Sequence, residues 1–301
     1  MLTRRDKNFV WRRVDARSLD LKGMKVAIVG GTGGIGRALC RFLVSRGAAV
    51  LAIGQTFRDS DVAGIEFIKA DLSLMREAQR VGSLLPAEIL DLVIFTTGIF
   101  AAPKRQETAE GIERDIAVSY LSRLVMIRDI APRLAKNRPA ASMKPRVFVM
   151  GFPGAGHIGK LDDLNAEKTY ASMEAHWNGV AGNEMLVLDS ARRYPNASFF
   201  GLNPGGIKSN IRSNWLGANS LKHRIFEWVI GLISQSDTYA ERIAPLLVSP
   251  DLEGHSGVMF DPKGFAIFPS PKLTDDYTKQ LIGASEALRL GRAFARPPDR
   301  K

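Results

Sequence analysis

A single cysteine, Cys40, stands among 301 residues. It cannot close an internal disulfide, which points to a reducing compartment, and its place in an apolar helical pattern makes it a small core residue. No Cys/His spacing suits zinc, so no metal is expected. No apolar run reaches the roughly 18–20 residues that a membrane-spanning helix needs. The first twenty residues are polar and lack the apolar segment of a secretion signal. A cytoplasmic protein without an integral membrane segment is therefore expected. Acids are also in short supply, 31 against 42 Lys and Arg, for a net charge of +11. Part of that excess is terminal: Arg4, Arg5, Lys7, Arg12, Arg13 and Arg17 at one end, Arg289, Arg292, Arg296, Arg300 and Lys301 at the other. Such clusters attract acidic partners or serve as solvated tails. No RNA-binding aromatic signature accompanies them, so nucleic acid is not an expected partner.

Glycine is concentrated where it carries meaning. The stretch Lys25 to Leu39 reads KVAIVGGTGGIGRAL, an apolar run followed by Gly30, Gly31, Gly33, Gly34 and Gly36. A helical pattern with Ile35, Leu39, Phe42 and Leu43 on one face follows at once. Strand, glycine turn and helix in this order make a phosphate site: glycines let a pyrophosphate approach, and the helix start offers unpaired N–H groups.

The rest of the chain goes on alternating strand and helix. Further strands are expected at 49–53, 66–70, 92–96, 146–150, 198–202 and 257–260. Helices are expected at about 74–84, 111–136, 172–194, 220–233, 239–248 and 275–290. Apolar strands alternating with helices predict an α/β fold, a single doubly wound Rossmann-type parallel sheet with helices on both faces. Its ligand should lie at the carboxyl ends of the strands. No repeat or composition break divides the chain. It reads as a basic leader (1–23), a dinucleotide-binding domain (24–265) and a C-terminal extension (266–301). The segment at about 210–235 is rich in apolar residues, among them Phe226, Trp228 and Ile233, which suits a buried helix, a greasy substrate or a contact surface.

On these motifs the chain resembles the short-chain dehydrogenase/reductase family, with a flavour of retinol dehydrogenases. Val29 to Gly36 resembles the family's T-G-x-x-x-G-I-G loop, with Val29 at the Thr place. Asp71-Leu72 matches the acidic pair that contacts adenine. Phe95-Thr96-Thr97-Gly98 stands where the family has N-N-A-G. Leu164 to Lys168 resembles the D-L-N-x-E-K stretch ahead of the active-site helix, and Asn203 to Ser209 the N-P-G-x-x-x-T segment that embraces nicotinamide. The resemblance implies cofactor contacts at Gly30, Thr32, Gly33, Gly34, Ile35, Gly36, Asp71, Leu72, Thr97, Gly98, Pro204, Gly205 and Ile207. It also implies a substrate lid at about 210–235 and a homodimer or homotetramer built through the long helices 111–136 and 172–194, acting on a small-molecule substrate.

The chemistry motif departs from the family. Its Y-x-x-x-K is absent: counting from Asn165, the Tyr place falls at His176 and the Lys place at Val180. The active-site Ser falls at Gly151 or Phe152, and the helix Asn of the proton relay at Ser119. A phenol titrates near pH 10 and needs a cation to work at neutral pH, whereas imidazole titrates at about 6.5 and does not. His176 is thus the candidate general acid/base and Ser119 its polar helper. Three readings follow: hydride transfer to a small, apolar organic substrate with a non-standard active site, a cofactor-binding pseudoenzyme or partner subunit, and a non-redox cyclase or isomerase reusing the pocket. At the end of β-strand two, where an acid would select NAD(H), stand Gly54, Gln55 and Thr56, with Arg58 close behind. This favours NADP(H) over NAD(H), with Arg58, or secondarily Arg37, meeting a 2′-phosphate.

Overall fold

The computed structural model describes residues 3–136, 143–206 and 236–293, with side chains to 290. The expected lid at 210–235 and Ile207 lie outside the described residues. Eight strands form one sheet in the order β3-β2-β1-β4-β5-β6-β7-β8. They are β1 (Lys25–Val29), β2 (Ala49–Gly54), β3 (Ile65–Lys69), β4 (Leu92–Phe95), β5 (Arg146–Met150), β6 (Ser198–Leu202), β7 (Met259–Phe260) and β8 (Ala266–Ile267). All pairings are parallel except the last, β7 with β8. The order reverses between β1 and β4, and this switch point opens a crevice at the carboxyl ends of the strands.

The helices are α1 (Gly34–Ser45), α2 (Met75–Leu84), α3 (Arg114–Ile116, continued as Ser122–Ile130), α4 (Ser172–Arg193), α5 (Ser236–Val248) and α6 (Asp275–Ala293). A π-helical turn, Ala117–Leu121, joins the two parts of α3. The central strands β1, β4, β5 and β6 are largely apolar because each face is covered, whereas β3 at the edge carries Glu66 and Lys69 and buries no residue fully. Ala27 and Val29 of β1 enter the core with α2, α3 and α4. Val26 and Ile28 enter the core built with Leu39 and Leu43 of α1 and Tyr239 and Ile243 of α5. The same alternation of two separates Val93 and Phe95 from Leu92 and Ile94 in β4. α1 stops where Gly47 takes a left-handed φ of 98° and its N–H meets the Val44 carbonyl. Cys40 is buried in this core, and burial pushes its thiol up to about 12, so it is not a nucleophile.

One strand was not legible in advance. The antiparallel β8 lies on the far side of the 265/266 boundary, and the leader runs beside it. Arg5 bridges to Ile267, and the Trp11 indole donates to the Gly264 carbonyl at 2.7 Å. Several leader arginines are spent on rings of the same chain: Arg5 and Arg13 lie over Phe265, and Arg4 over Phe268. The leader thus covers a sheet edge that would otherwise be open to pairing.

Candidate active site

The glycine turn after β1 is shaped by contacts. Gly30 has φ 95°, and a Cβ there would fall 2.6 Å from Thr96 Oγ1 and from the Thr97 nitrogen. Gly33 is the N-cap of α1 and offers no side-chain cap, and the space beside it is open. The first-turn amides of α1 are therefore left for an external acceptor. Thr97 Oγ1, at the carboxyl end of β4, is buried with no hydrogen-bond partner among the described residues. These are the features a bound dinucleotide requires, and the residues fit it.

The rim is cationic. Arg58 is exposed and donates to the Thr32 carbonyl at 2.8 Å. Arg37 is not free for a phosphate: it holds Asp59 in a bidentate pair at 2.8 and 2.7 Å. Arg41 reaches the same carboxylate at 3.1 Å. These hydrogen bonds and charges hold Asp59 below the usual carboxylate range, against its burial. Asp71 is engaged by Ser73 N at 3.1 Å and Gln55 Nε2 at 3.2 Å, and Leu72 beside it is buried. In the Asn203 segment, the Asn203 side chain accepts from Gly205 N at 2.8 Å and Gly205 has φ 71°, so the Pro204-Gly205 turn is fixed where it leaves β6.

Across the crevice, His176 Nδ1 lies 2.7 Å from Asp115 Oδ2. Ser119 Oγ donates to Asp115 Oδ1 at 2.5 Å and accepts from Ile99 N at 3.0 Å. An ionised carboxylate only accepts; against one, Nδ1 is the donor and Nε2 is the ring nitrogen outside that contact. The His176 side chain is 12% exposed and that of Asp115 1%. Phe100 stacks on the imidazole at 4.0 Å, and Trp177, itself stacked on His157, lies 5.4 Å away. Burial and the charge of His176 hold His157 below the ordinary histidine value.

The neighbouring loops bring these residues together. Asn165 accepts from Glu113 N at 2.7 Å and donates to the Gly111 carbonyl at 3.0 Å, pinning the segment before α4 to the start of α3. Asp163 gathers the amides of Glu167, Lys168 and Thr169. Ser172 Oγ donates to the Ala101 carbonyl at 2.8 Å and so ties the strand-four loop, with Phe100, to the start of α4. Val180, at the Lys place, is a buried apolar residue; Gly151 has no side chain, and Phe152 is exposed. The buried cation of this site is Arg123, on α3. Its guanidinium donates to the carbonyls of Thr97 and Met150 and, at 2.9 Å, to Asn183 Oδ1. Burial lowers its pKa to about 9, with Asp115 opposing, so it stays charged at neutral pH.

The structure brings His176 and Ser119, the two residues singled out in the sequence, onto one carboxylate, Asp115, which the sequence did not single out; nor did it single out Arg123. A signal existed: Asp115, Ser119 and Arg123 stand four apart in one helix, which puts them along one face. The π-helical turn lies within that run, a deviation found frequently at functional sites.

Relatives fix the family. The chain is 48% identical over 293 residues to an uncharacterised oxidoreductase of Saccharomyces cerevisiae, covering 96% of this chain and 95% of that one. Human retinol dehydrogenase 12 is 26% identical over 211 residues, 64% of this chain and 65% of the relative. The chain belongs to the short-chain dehydrogenase/reductase family of nicotinamide-dependent oxidoreductases. No family model matches it. Solved structures share the fold. An uncharacterised Mycobacterium paratuberculosis protein has a TM-score of 0.62 at 20% identity, covering 95% of this chain and 99% of that one. A 3-ketoacyl-(acyl-carrier-protein) reductase of Brucella melitensis, in complex with NADH, has a TM-score of 0.55 at 18% identity, covering 80% and 97%.

A short-chain dehydrogenase/reductase with this site also carries a buried acid outside the pair. Glu113 accepts from Ile116 N at 2.9 Å as the N-cap of α3, and burial pushes its carboxyl up to about 7 from 4.5. Because the folded pKa lies above the unfolded one, the group favours the fold fully below pH 4.5, and that contribution is lost as pH rises through about 7. The change is worth roughly 3 kcal/mol at most. Glu113→Gln keeps an acceptor for the Ile116 amide and does not ionise. Urea unfolding of both proteins from pH 4.5 to 8 should show the variant gaining on the wild type as pH rises. A difference that stays flat across that window would remove Glu113 as its cause.

Proposed function

We propose that this oxidoreductase uses NADP(H) and acts on a small, apolar carbonyl compound or the corresponding alcohol, with the His176–Asp115 pair doing the proton work that the family assigns to a tyrosine. The carrying observation is the 2.7 Å contact between His176 Nδ1 and a carboxylate that is almost wholly buried. The nicotinamide supplies or accepts the hydride when bound. In reduction, protonated His176 gives its Nε2 proton to the carbonyl oxygen as the hydride reaches the carbon, and solvent then restores the proton. In oxidation, neutral His176 takes the hydroxyl proton at Nε2 while the hydride leaves the carbon. Asp115 fixes the tautomer and stabilises the imidazolium, and Ser119 fixes Asp115. Phe100 and Trp177 beside the imidazole favour an apolar substrate.

The cofactor preference rests on charge. The first acid along the chain after β2, Asp59, is held by Arg37 and Arg41, and Arg58 is the exposed cation beside Thr32. Fluorescence titration should show NADPH binding about tenfold or more tightly than NADH, a difference of about 1.4 kcal/mol. Arg58→Ala should bring the two within a few-fold. Tighter binding of NADH by the wild type would defeat the NADP(H) assignment. A panel of aldehydes and ketones, followed by loss of NADPH absorbance, tests turnover. Binding without turnover would favour the pseudoenzyme reading.

A further inference from the structure

The helices expected to pair two copies of the chain are α3 and α4, and their joint surface carries a third helix of the same chain. α6 presents Thr278, Leu281, Ile282 and Ser285, all buried, at the spacing of one helical face. Lys279, Gln280, Gly283 and Ala287 on the other side are exposed. The contacts are specific. The Tyr120 hydroxyl of α3, on a fully buried side chain, donates to Ser285 Oγ at 2.8 Å, and Ser285 in turn donates to the Leu281 carbonyl at 2.7 Å. Arg128 of α3 links Glu286 of α6 at 2.7 Å and Asp189 of α4 at 2.8 Å, so one guanidinium ties all three helices. Arg192 at the end of α4 pairs with Asp275 at the start of α6. Leu281 also fits over Gly159, where a Cβ would lie 3.3 Å from it and 3.5 Å from Ala181 of α4.

The approach to α6 is fixed as well. Buried Glu184 of α4 accepts from Ser270 N at 2.5 Å and Ser270 Oγ at 2.8 Å. Ser270 Oγ accepts from Gly156 N at 2.9 Å, and the Tyr277 hydroxyl donates to the Gly159 carbonyl at 3.1 Å. The C-terminal segment thus steadies the loop that carries His157 as well as the two helices.

We propose that α6 takes, in cis, the place of a second subunit: it closes the α3/α4 surface to another copy of the chain, and that surface is not an oligomer interface. An apolar helix face that has found its partner within the chain leaves a second copy nothing to bury there. The outer face of α6, with Asp276, Lys279 and Gln280 beside the small Gly283 and Ala287 and with Leu290 as its one exposed large apolar side chain among the described residues, does not renew the offer.

The test is sedimentation equilibrium of the full chain from low to high micromolar concentration, with amide hydrogen exchange followed over the same range. The expected result is a single species at the chain mass of 33.0 kDa, with exchange in α3, α4 and α6 independent of concentration. Association through another surface, with those three helices unchanged, would equally leave this face closed. Association that newly protects α3, α4 or the outer side of α6 would overturn the proposal. Leu281→Asp supplies the complementary arm by forcing a charge into the contact. It should speed exchange in α6 by about tenfold or more and expose α3 and α4 to concentration-dependent association, whereas Lys279→Asp on the outer side should do neither. If the Asp variant is insoluble, Glu286→Arg sets two guanidinium groups against each other at the same contact and gives the same readout. Unchanged α6 exchange in a folded wedge variant would show that the helix covers nothing.

Discussion

His176→Ala is expected to lower turnover by about 10²–10⁴-fold while leaving NADPH affinity within a few-fold of wild type. The separation follows from the geometry. His176 lies on α4 facing Asp115, whereas the glycine turn and the Arg58 rim stand at the other side of the crevice, after β1 and β2. Asp115→Asn tests the pair. The amide keeps the shape of the carboxylate but loses its charge, and it can turn its NH2 toward Nδ1 and so favour the wrong tautomer. A loss of roughly 10²-fold is expected, within the range of a general acid/base contribution. Because Asp115 acts only through His176, the double variant should be no slower than His176→Ala alone. Ser119→Ala removes one hydrogen bond to Asp115, worth about 1 kcal/mol, or roughly fivefold in rate. Each variant needs a thermal melt beside its kinetics, since Asp115 is buried. His176→Ala that melts like wild type and turns over like wild type would end the acid/base reading and leave a structural ion pair.

This pair shows where a sequence stops being readable. His176 could be placed because Leu164 to Lys168 fixes a local register, and counting along one helix reaches it. Asp115 lies 61 residues away, and its partnership depends on how the loop holding Asn165 docks on α3, a tertiary fact with no local signature. Arg123 was hidden differently. An arginine is usually a surface residue, and only the carbonyls at the ends of β4 and β5, together with Asn183, give it a buried place. The central parallel strands were legible because burial on both faces leaves apolar runs, while β3 at the edge mixes Glu66 and Lys69 with Ile65, Phe67 and Ile68. β8 was not, since its two residues, Ala266 and Ile267, show no periodicity. α6 was legible as a helix, but not its destination: only the packed structure shows Ser285 meeting Tyr120 on the surface expected to bind a second copy. Arg37 carries the same lesson on a small scale, since an arginine one turn into α1 reads as a phosphate ligand until Asp59 is seen to occupy it.

Two glycines of the turn, three residues apart, should fail in different ways when each is made alanine. Gly36→Ala places a Cβ 2.2 Å from the Gly30 carbonyl oxygen and 2.5 Å from Thr96 Oγ1. The first neighbour is backbone and cannot rotate away, so α1 must move off β1. A loss of about 2–4 kcal/mol in urea unfolding is expected, with cofactor affinity falling because the turn itself is displaced. Gly33→Ala meets no atom within 4 Å, and the residue has an extended backbone with φ −158°. Its fold should hold to within about 0.5 kcal/mol. The added methyl instead stands at the uncapped start of α1, where a phosphate must approach the amides closely. NADPH affinity should therefore fall by about tenfold or more, corresponding to at least about 1.4 kcal/mol. The comparison separates the two tasks of a glycine-rich turn, packing a helix on a strand and admitting an anion. A Gly33→Ala protein that bound NADPH as the wild type does would mean the phosphates sit elsewhere, and would leave this turn as packing alone.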